Sequence, residues 1–531
     1  MNQVAPFKDE AMTAARRLLL LPLAALAAAA GCFSDTSTAP PAVTTFPAAK
    51  TPQAEQAAQP LAAKEPEPAP LFDDWPKPAV ALVLSGQQLG YIEPCGCTGL
   101  ENQKGGLARR HTLIQQLSSE RGWAVVPLDV GNQVKRFGKQ QELKFTSTIK
   151  GLRTMGYRAL AFGDNDLKLP AGELLAALSN PDGKIPDVVS ANVGLFDMDL
   201  QPRFLVLEAG GKQIGVTAVL GEKFEQKLAG GDLVHQPPIK ALKEFCRELD
   251  AKQCDLNVLL VHGSLEEARE IAAEVPVFDL VVAAGETSLP SRELESVPGT
   301  KARLLQVGQK AMHAGVVGFY ADEKKTFRYQ SVPLDARFAA SPAMLKLLAE
   351  YQDNLKTLGL NGLGLKPRPH PSGNKFVGSG KCGECHTKAF AKWSTTPHAH
   401  ATDSLVKPPN SRGDIPRHFD PECLSCHVTG WEPQQFAPLA SGYLSLEQTP
   451  LLKHNGCENC HGPGSAHVAA ESGEGNVSAA DAAKLRDAMK LPLAGAERRC
   501  LECHDDDNSP DFHKPGAFEK YWKEVEHRGK D

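Results

Sequence analysis

The chain has 531 residues, room for two or three domains, and a formal charge of −5 from 58 basic and 63 acidic side chains. That mild balance, with no long basic run, excludes nucleic acid as an expected partner. Thirteen cysteines and sixteen histidines, twelve of the latter from His370 onward, point to metal or redox chemistry concentrated near the C-terminus.

The first segment reads as an export signal. Arg16 and Arg17 precede an apolar run, Leu18 to Ala30, that is too short for a confident membrane span. Asp9 and Glu10 suit a signal poorly, which makes Met12 an alternative start. The run ends in Ala29-Ala30-Gly31-Cys32, which resembles a bacterial lipobox; residues 1–31 would be removed and Cys32 lipidated. No Asp follows Cys32, so the expected location is the bacterial cell envelope, anchored by lipid to the outer membrane and facing the periplasm. Residues 32–76, rich in Ala and Pro, cannot bury a core and read as a flexible stalk.

From 77 to 335 the pattern is α/β. Short apolar runs predict buried strands at 79–84, 124–128, 159–162, 188–190, 214–219, 256–261, 280–283 and 304–307, with helices at 107–117, 142–155 and 239–248. Such alternation predicts a layered sheet flanked by helices. Cys246 and Cys254 are most simply a structural disulfide in an oxidising compartment, free thiols being the alternative. Residues 341–358 read as an amphipathic helix with a Ser-Pro start, inside a connecting segment 336–368.

Residues 369–531 carry four Cys-x-x-Cys-His motifs: Cys382/Cys385/His386, Cys423/Cys426/His427, Cys457/Cys460/His461 and Cys500/Cys503/His504. Two thiols at this spacing can form thioethers with the vinyl groups of one haem, and the adjacent His reaches the iron. Zinc pairs or redox dithiols would fit one copy, but not four with the same trailing His. The expected cofactor is four covalent haems c, with His386, His427, His461 and His504 as proximal ligands. A second His on an iron suits it to electron transfer, and an iron without one can take a small molecule.

Three stretches resemble the tetrahaem cytochrome c-554/c-prime family across about 377–527. They are Val377 to His386 with Trp393 and Thr396-Pro397-His398, Cys423 to Gly430, and Gly456 to His467. The resemblance implies a mostly α-helical, haem-cored tetrahaem domain in which His398, His467 and His527 are distal ligands. It leaves His418 and His454 as candidates for the fourth, in a family that includes a haem with an open position.

The middle domain resembles the periplasmic 5'-nucleotidase family of metallophosphoesterases. The shared stretches are Gly105-Gly106-Leu107-Ala108-Arg109-Arg110, Leu128-Asp129-Val130-Gly131-Asn132, Gly163-Asp164-Asn165-Asp166, Leu260 to Gly263 and Gly285 to Ser288. The family's metal ligands are largely missing: Gln87-Gln88 lies where Asp-x-His belongs, Asn132 replaces the bridging Asp, and Glu286 and Ser288 replace a His pair. Hydrolysis through two metals is therefore not expected. Asp129, Asp164, Asp166, His262 and Glu286 remain a candidate set for one harder ion. Close after the first strand stands Cys95-Gly96-Cys97, as in a selenoprotein-related group of the same family. A strained disulfide, a soft-metal dithiol or an inert loop all suit that spacing.

The expected function is electron transfer, with redox protein partners or quinone-linked donors and a redox role for Cys95 and Cys97. A metal-dependent phosphoesterase with an accessory cytochrome, or a small-molecule reductase or oxidase at an open haem, are the alternatives.

Overall fold

The apolar runs of the middle region form strands whose faces are both covered, which is why they read as continuous rather than alternating hydrophobic sequence. In chain order these are β1 (Val80–Ser85), β2 (Val125–Asp129), β3 (Ala159–Leu160), β4 (Val193–Leu195), β5 (Phe204–Ala209), β6 (Lys212–Leu220), β7 (Leu233–His235), β8 (Leu256–His262), β9 (Leu280–Ala284), β10 (Glu295–Ser296), β11 (Arg303–Gln306), β12 (His313–Tyr320) and β13 (Thr326–Pro333). The computed structural model describes residues 70–94, 103–228, 231–285, 289–321, 326–409, 414–506 and 508–528. Cys32, Cys95, Cys97, Glu286, Ser288, the leader and residues 32–69 of the expected stalk lie outside them. The last stalk residues are not a tether: Phe72 is buried in the core of the first sheet, and Trp75 stacks on Trp123 at 6.1 Å, because these aromatic side chains have apolar surface to bury.

One sheet has the order β13-β12-β1-β2-β3, the other β10-β11-β9-β8-β6-β5. β1, β2 and β3 run parallel, as do β6, β8, β9 and β11, while β12, β13, β5 and β10 join antiparallel. The inner faces pack on one another through Leu82, Leu84, Val126, Leu128, Val216, Val258, Leu260 and Val282, all buried. Helices α1 (Leu107–Gln115), α2 (Lys139–Thr154) and α3 (Ala171–Leu178) cover the first sheet. After the single turn α4 (Glu222–Glu225), α5 (Pro238–Ala251) and α6 (Leu265–Glu274) cover the second. The result is an α/β/β/α sandwich.

The expected strand at 188–190 contributes a single bridge, Leu160 with Val188, because its neighbour β3 is two residues long. The hairpin β12–β13 was not legible as apolar runs: Gly315 and Gly318 interrupt the first strand, and the second is mostly half-exposed. Cys246 and Cys254 are not joined in the expected disulfide. Cys246 lies on the buried face of α5 with Leu242, Phe245 and Leu249, and burial pushes its thiol up to about 11.

Helix α7 (Pro342–Gly362) does more than connect. Met344, Leu347, Leu348 and Tyr351 pack into the core beneath the first sheet, and the helix breaks at Gly359, whose φ is +57°. Beyond it the chain forms short helices: α8 (Ser379–Gly383), α9 (Thr387–Ser394), α10 (Asp403–Val406), α11 (Pro421–His427), α12 (Cys457–His461), α13 (Ser465–Glu471), α14 (Ala479–Ala488), α15 (Leu493–Leu501) and α16 (Ala517–Val525). A small apolar cluster, Leu405, Leu424, Val428, Trp431, Tyr443 and Leu452, packs around the second motif. Middle and C-terminal regions belong to one compact unit, Ala69–Asp531. No described helix is long and apolar enough to cross a membrane.

Leu260 is fully buried between the sheets. Leu260→Ala is expected to lower the unfolding free energy by about 2–5 kcal/mol in urea titrations of the haem-loaded protein.

Candidate functional site

Each Cys-x-x-Cys-His motif lies on a helical turn, so its two sulfurs, three residues apart, share a face. At the first motif the Cys385 and His386 amides both donate to the Cys382 carbonyl, and Cys503 and His504 do the same to Cys500. Three of the trailing imidazoles are oriented through Nδ1. His427 donates to the Ala401 carbonyl at 2.8 Å and His461 to the Met489 carbonyl at 2.7 Å, while His504 bonds the Ser509 hydroxyl at 3.0 Å. With Nδ1 engaged, Nε2 is left as the metal-binding nitrogen.

The distal candidates of three motifs come from elsewhere in the chain. His386 lies 6.2 Å from His467, His504 lies 6.0 Å from His398 and His461 lies 5.7 Å from His527, ring centre to ring centre. Two imidazole nitrogens each about 2 Å from a shared metal place the ring centres roughly 6 Å apart, so these spacings fit one iron between each pair. Among the described residues His427 has no such ring partner. His418 packs on Phe419 at 3.9 Å, and its Nδ1 is buried without a hydrogen bond. His454 faces His400 at 6.3 Å, and its Nδ1 accepts the Thr402 amide at 3.3 Å. The sulfurs pair across motifs as well, Cys382 beside Cys457 and Cys426 beside Cys503. On haem attachment these thiols become thioethers, so the first attachment point adjoins the third and the second adjoins the fourth.

At the other site, the strand ends of β1, β2 and β8 form the lip where a two-metal centre would be built. Asp129 is fully buried and already has partners. It accepts from the Ser85 hydroxyl at 2.6 Å, the Gly131 amide at 2.9 Å and the Gln133 side chain at 2.6 Å, with the Arg110 guanidinium 3.6 Å away. Arg110, 1% exposed, also bonds Ser85, Tyr157 and Gln88. Its α1 starts where it does because Gly105 and Gly106 hold positive φ against the 310–311 backbone and Pro94, where a Cβ would clash at 2.8 and 2.7 Å.

Asn132, in the bridging position, donates through Nδ2 to Gln87 at 3.2 Å and Asp164 at 3.0 Å. His262 Nδ1 donates to the Val130 carbonyl at 3.1 Å, and its Nε2 meets Asp164 at 3.1 Å. Burial alone would raise Asp164, yet His262, the Asn132 amide and Lys168 hold its carboxyl well below the usual range. Asp166 turns instead to the amides of Asn132, Gln133, Val134 and Gly163, and burial pushes it up to about 7. The described members of the expected one-ion set therefore do not converge, and among the described residues no cluster of three or more ligating side chains forms a metal site.

The two regions meet at the second haem motif, which spacing in the sequence did not reveal. Glu93, two residues before Cys95, pairs through both oxygens with the buried Arg417, at 2.5 and 2.6 Å. Glu422, next to Cys423, is held by Lys144 at 2.6 Å, Gln141 at 2.9 Å and Arg136 at 3.4 Å.

Removing the guanidinium should leave Asp129 as an uncompensated buried charge. Arg110→Met is expected to cost about 3–5 kcal/mol, and adding Asp129→Asn should recover part of it, as read from denaturant midpoints.

Comparison with known proteins agrees with this division. Residues 381–462 match the family model described as cytochrome c554 and c-prime. Cytochrome c-554 of Nitrosomonas europaea is 30% identical over 140 residues, covering 24% of this chain and 57% of that protein. The apyrase of Aedes aegypti is 24% identical over 299 residues, covering 50% of this chain and 53% of that protein. The chain thus spans little more than half the length of these relatives. The 5'-nucleotidase precursor of Thermus thermophilus aligns with a TM-score of 0.45 at 18% identity, over 62% of this chain and 66% of that one. The C-terminal region is thus similar to cytochrome c-554 and matches the cytochrome c554 and c-prime family model, and the α/β region before it is similar to apyrases.

Proposed function

We propose that this is an exported, lipid-anchored electron-transfer protein with four haems c, three of them held between two histidines and the fourth by His427 alone. The three imidazole pairs at 5.7–6.2 Å carry this reading. Paired imidazoles suit iron to rapid one-electron exchange, and an iron with a single His can also bind a small ligand. Lipid on Cys32, with residues 33–69 as a tether, would hold the body at the outer membrane facing the periplasm. Electrons would come from or go to redox proteins or quinone-linked donors.

The middle domain is proposed to be inactive as a phosphatase. Two-metal hydrolysis needs open carboxylate and imidazole ligands, whereas Asp129, Asn132, Asp164 and His262 are bonded to one another or to neighbours. Cys95 and Cys97 are its proposed redox pair. Oxidation of that dithiol to a disulfide releases two protons and two electrons, and two ferric haems take one electron each. Support comes from the Cys-Gly-Cys spacing and from the Glu93–Arg417 pair, which ties the stem of this loop to the haem region.

Thiol labelling during a visible redox titration tests the pair. Cys95 and Cys97 should change from protected to labelled as the potential falls, and Cys95→Ser/Cys97→Ser should remove two electrons per chain from total uptake. Labelling that never changes would reduce the middle domain to a docking module. Separately, purified protein supplied with manganese or zinc should release no phosphate from nucleotides; turnover above the metal blank would restore the hydrolase reading.

A further inference from the structure

The second haem motif differs from the others in how it is mounted. Its helix, α11, starts at Asp420, whose side chain caps the Glu422 amide at 3.0 Å. Both carboxylates then point into the middle domain. Asp420 is 5% exposed and receives Gln140 at 2.7 Å, Gln352 at 3.2 Å and the Tyr351 hydroxyl at 3.3 Å. Glu422 receives Lys144, Gln141 and Arg136. Gln140, Gln141 and Lys144 lie on one face of α2, and Tyr351 and Gln352 sit on α7, so two core helices of the sandwich grip one haem-bearing turn. Arg136 also stacks on Phe436, 3.9 Å from its ring centre. Burial would raise the Glu422 carboxyl, but Lys144 and Arg136 outweigh it and hold it low, as a charged partner requires.

We infer that this clamp makes the haem bound at Cys423, Cys426 and His427 the contact between the two domains, with Lys144, Arg136 and Glu422 as positioning residues that set the charge beside it. The inference rests on the electron-transfer reading above and names the haem through which the middle domain would communicate. Glu422 directly precedes the attachment residue Cys423, and Lys144 and Glu422 are 8% and 23% exposed, so their charges act through a poorly screened medium. A cation beside an iron favours the ferrous state and an anion the ferric state. The two partners therefore pull its potential in opposite directions.

The test is a spectroelectrochemical titration of the full haem-loaded protein. The second haem is assigned by the wave missing from Cys423→Ala/Cys426→Ala. Lys144→Met should lower the potential of that haem and Glu422→Gln should raise it, with the other waves unmoved. The exchange Lys144→Glu/Glu422→Lys should return it towards the parent value. If a variant at the buried pair does not fold, the more exposed Arg136→Gln should still lower the same wave. Shifts in one direction for both single variants, or shared by all haems, would mean loosening of the structure and overturn the inference; so would unchanged potentials. Opposite shifts alongside inert Cys95 and Cys97 would leave the clamp standing and remove only the thiol reading.

Discussion

In the proposed ligation an iron between two imidazoles would hold their rings roughly 6 Å apart, and three His pairs of the C-terminal region stand at that distance. His398 belongs with the fourth motif, His467 with the first and His527 with the third, so each pair joins parts of the chain far apart in sequence. Few apolar side chains hold the region otherwise, the main cluster being six buried residues from Leu405 to Leu452. Backbone carbonyls at Ala401 and Met489 orient two of the proximal rings. On this reading fold and ligation are one problem: the short helices would supply ligands, and bound haem would order the helices.

The sandwich follows different physics. Two sheets bury continuous apolar faces on each other, and the buried Arg110 guanidinium places a positive charge at the β1–β2 lip. Asp129 is satisfied by Ser85, Gln133 and Arg110, and Asn132 links Gln87 to Asp164. The network joins these side chains to one another inside the protein, although the buried Arg110 Nε and Gln133 Oε1 have no hydrogen-bond partner. In the proposed reading this α/β domain serves as a support, and its helices α2 and α7 hold the second haem motif.

The parts legible in the sequence are those encoded over a few residues. Cys-x-x-Cys-His states its own chemistry, and the parallel strands announce themselves as apolar runs. His398, His467 and His527 could be singled out only through family resemblance, because nothing local marks a distal ligand. The β12–β13 hairpin hid behind glycines, and the helical burial of Cys246 was not visible from its spacing to Cys254. Which of Arg109 and Arg110 faces Asp129 depends on how α1 lies across the sheet. The grip of Lys144 on Glu422 spans 278 residues, a pairing no local pattern encodes. Cys95 and Cys97 were legible as a motif, and their role rests on chemistry still to be measured.

Spin states of the oxidised, haem-loaded protein, read by low-temperature electron paramagnetic resonance with haem quantitation, address the ligation most directly. Four haems per chain, three low-spin and one high-spin, with the high-spin signal lost on Cys423→Ala/Cys426→Ala, are the expected result. Four low-spin irons, or a high-spin signal that survives that change, would contradict the assignment of His427 as a lone axial histidine.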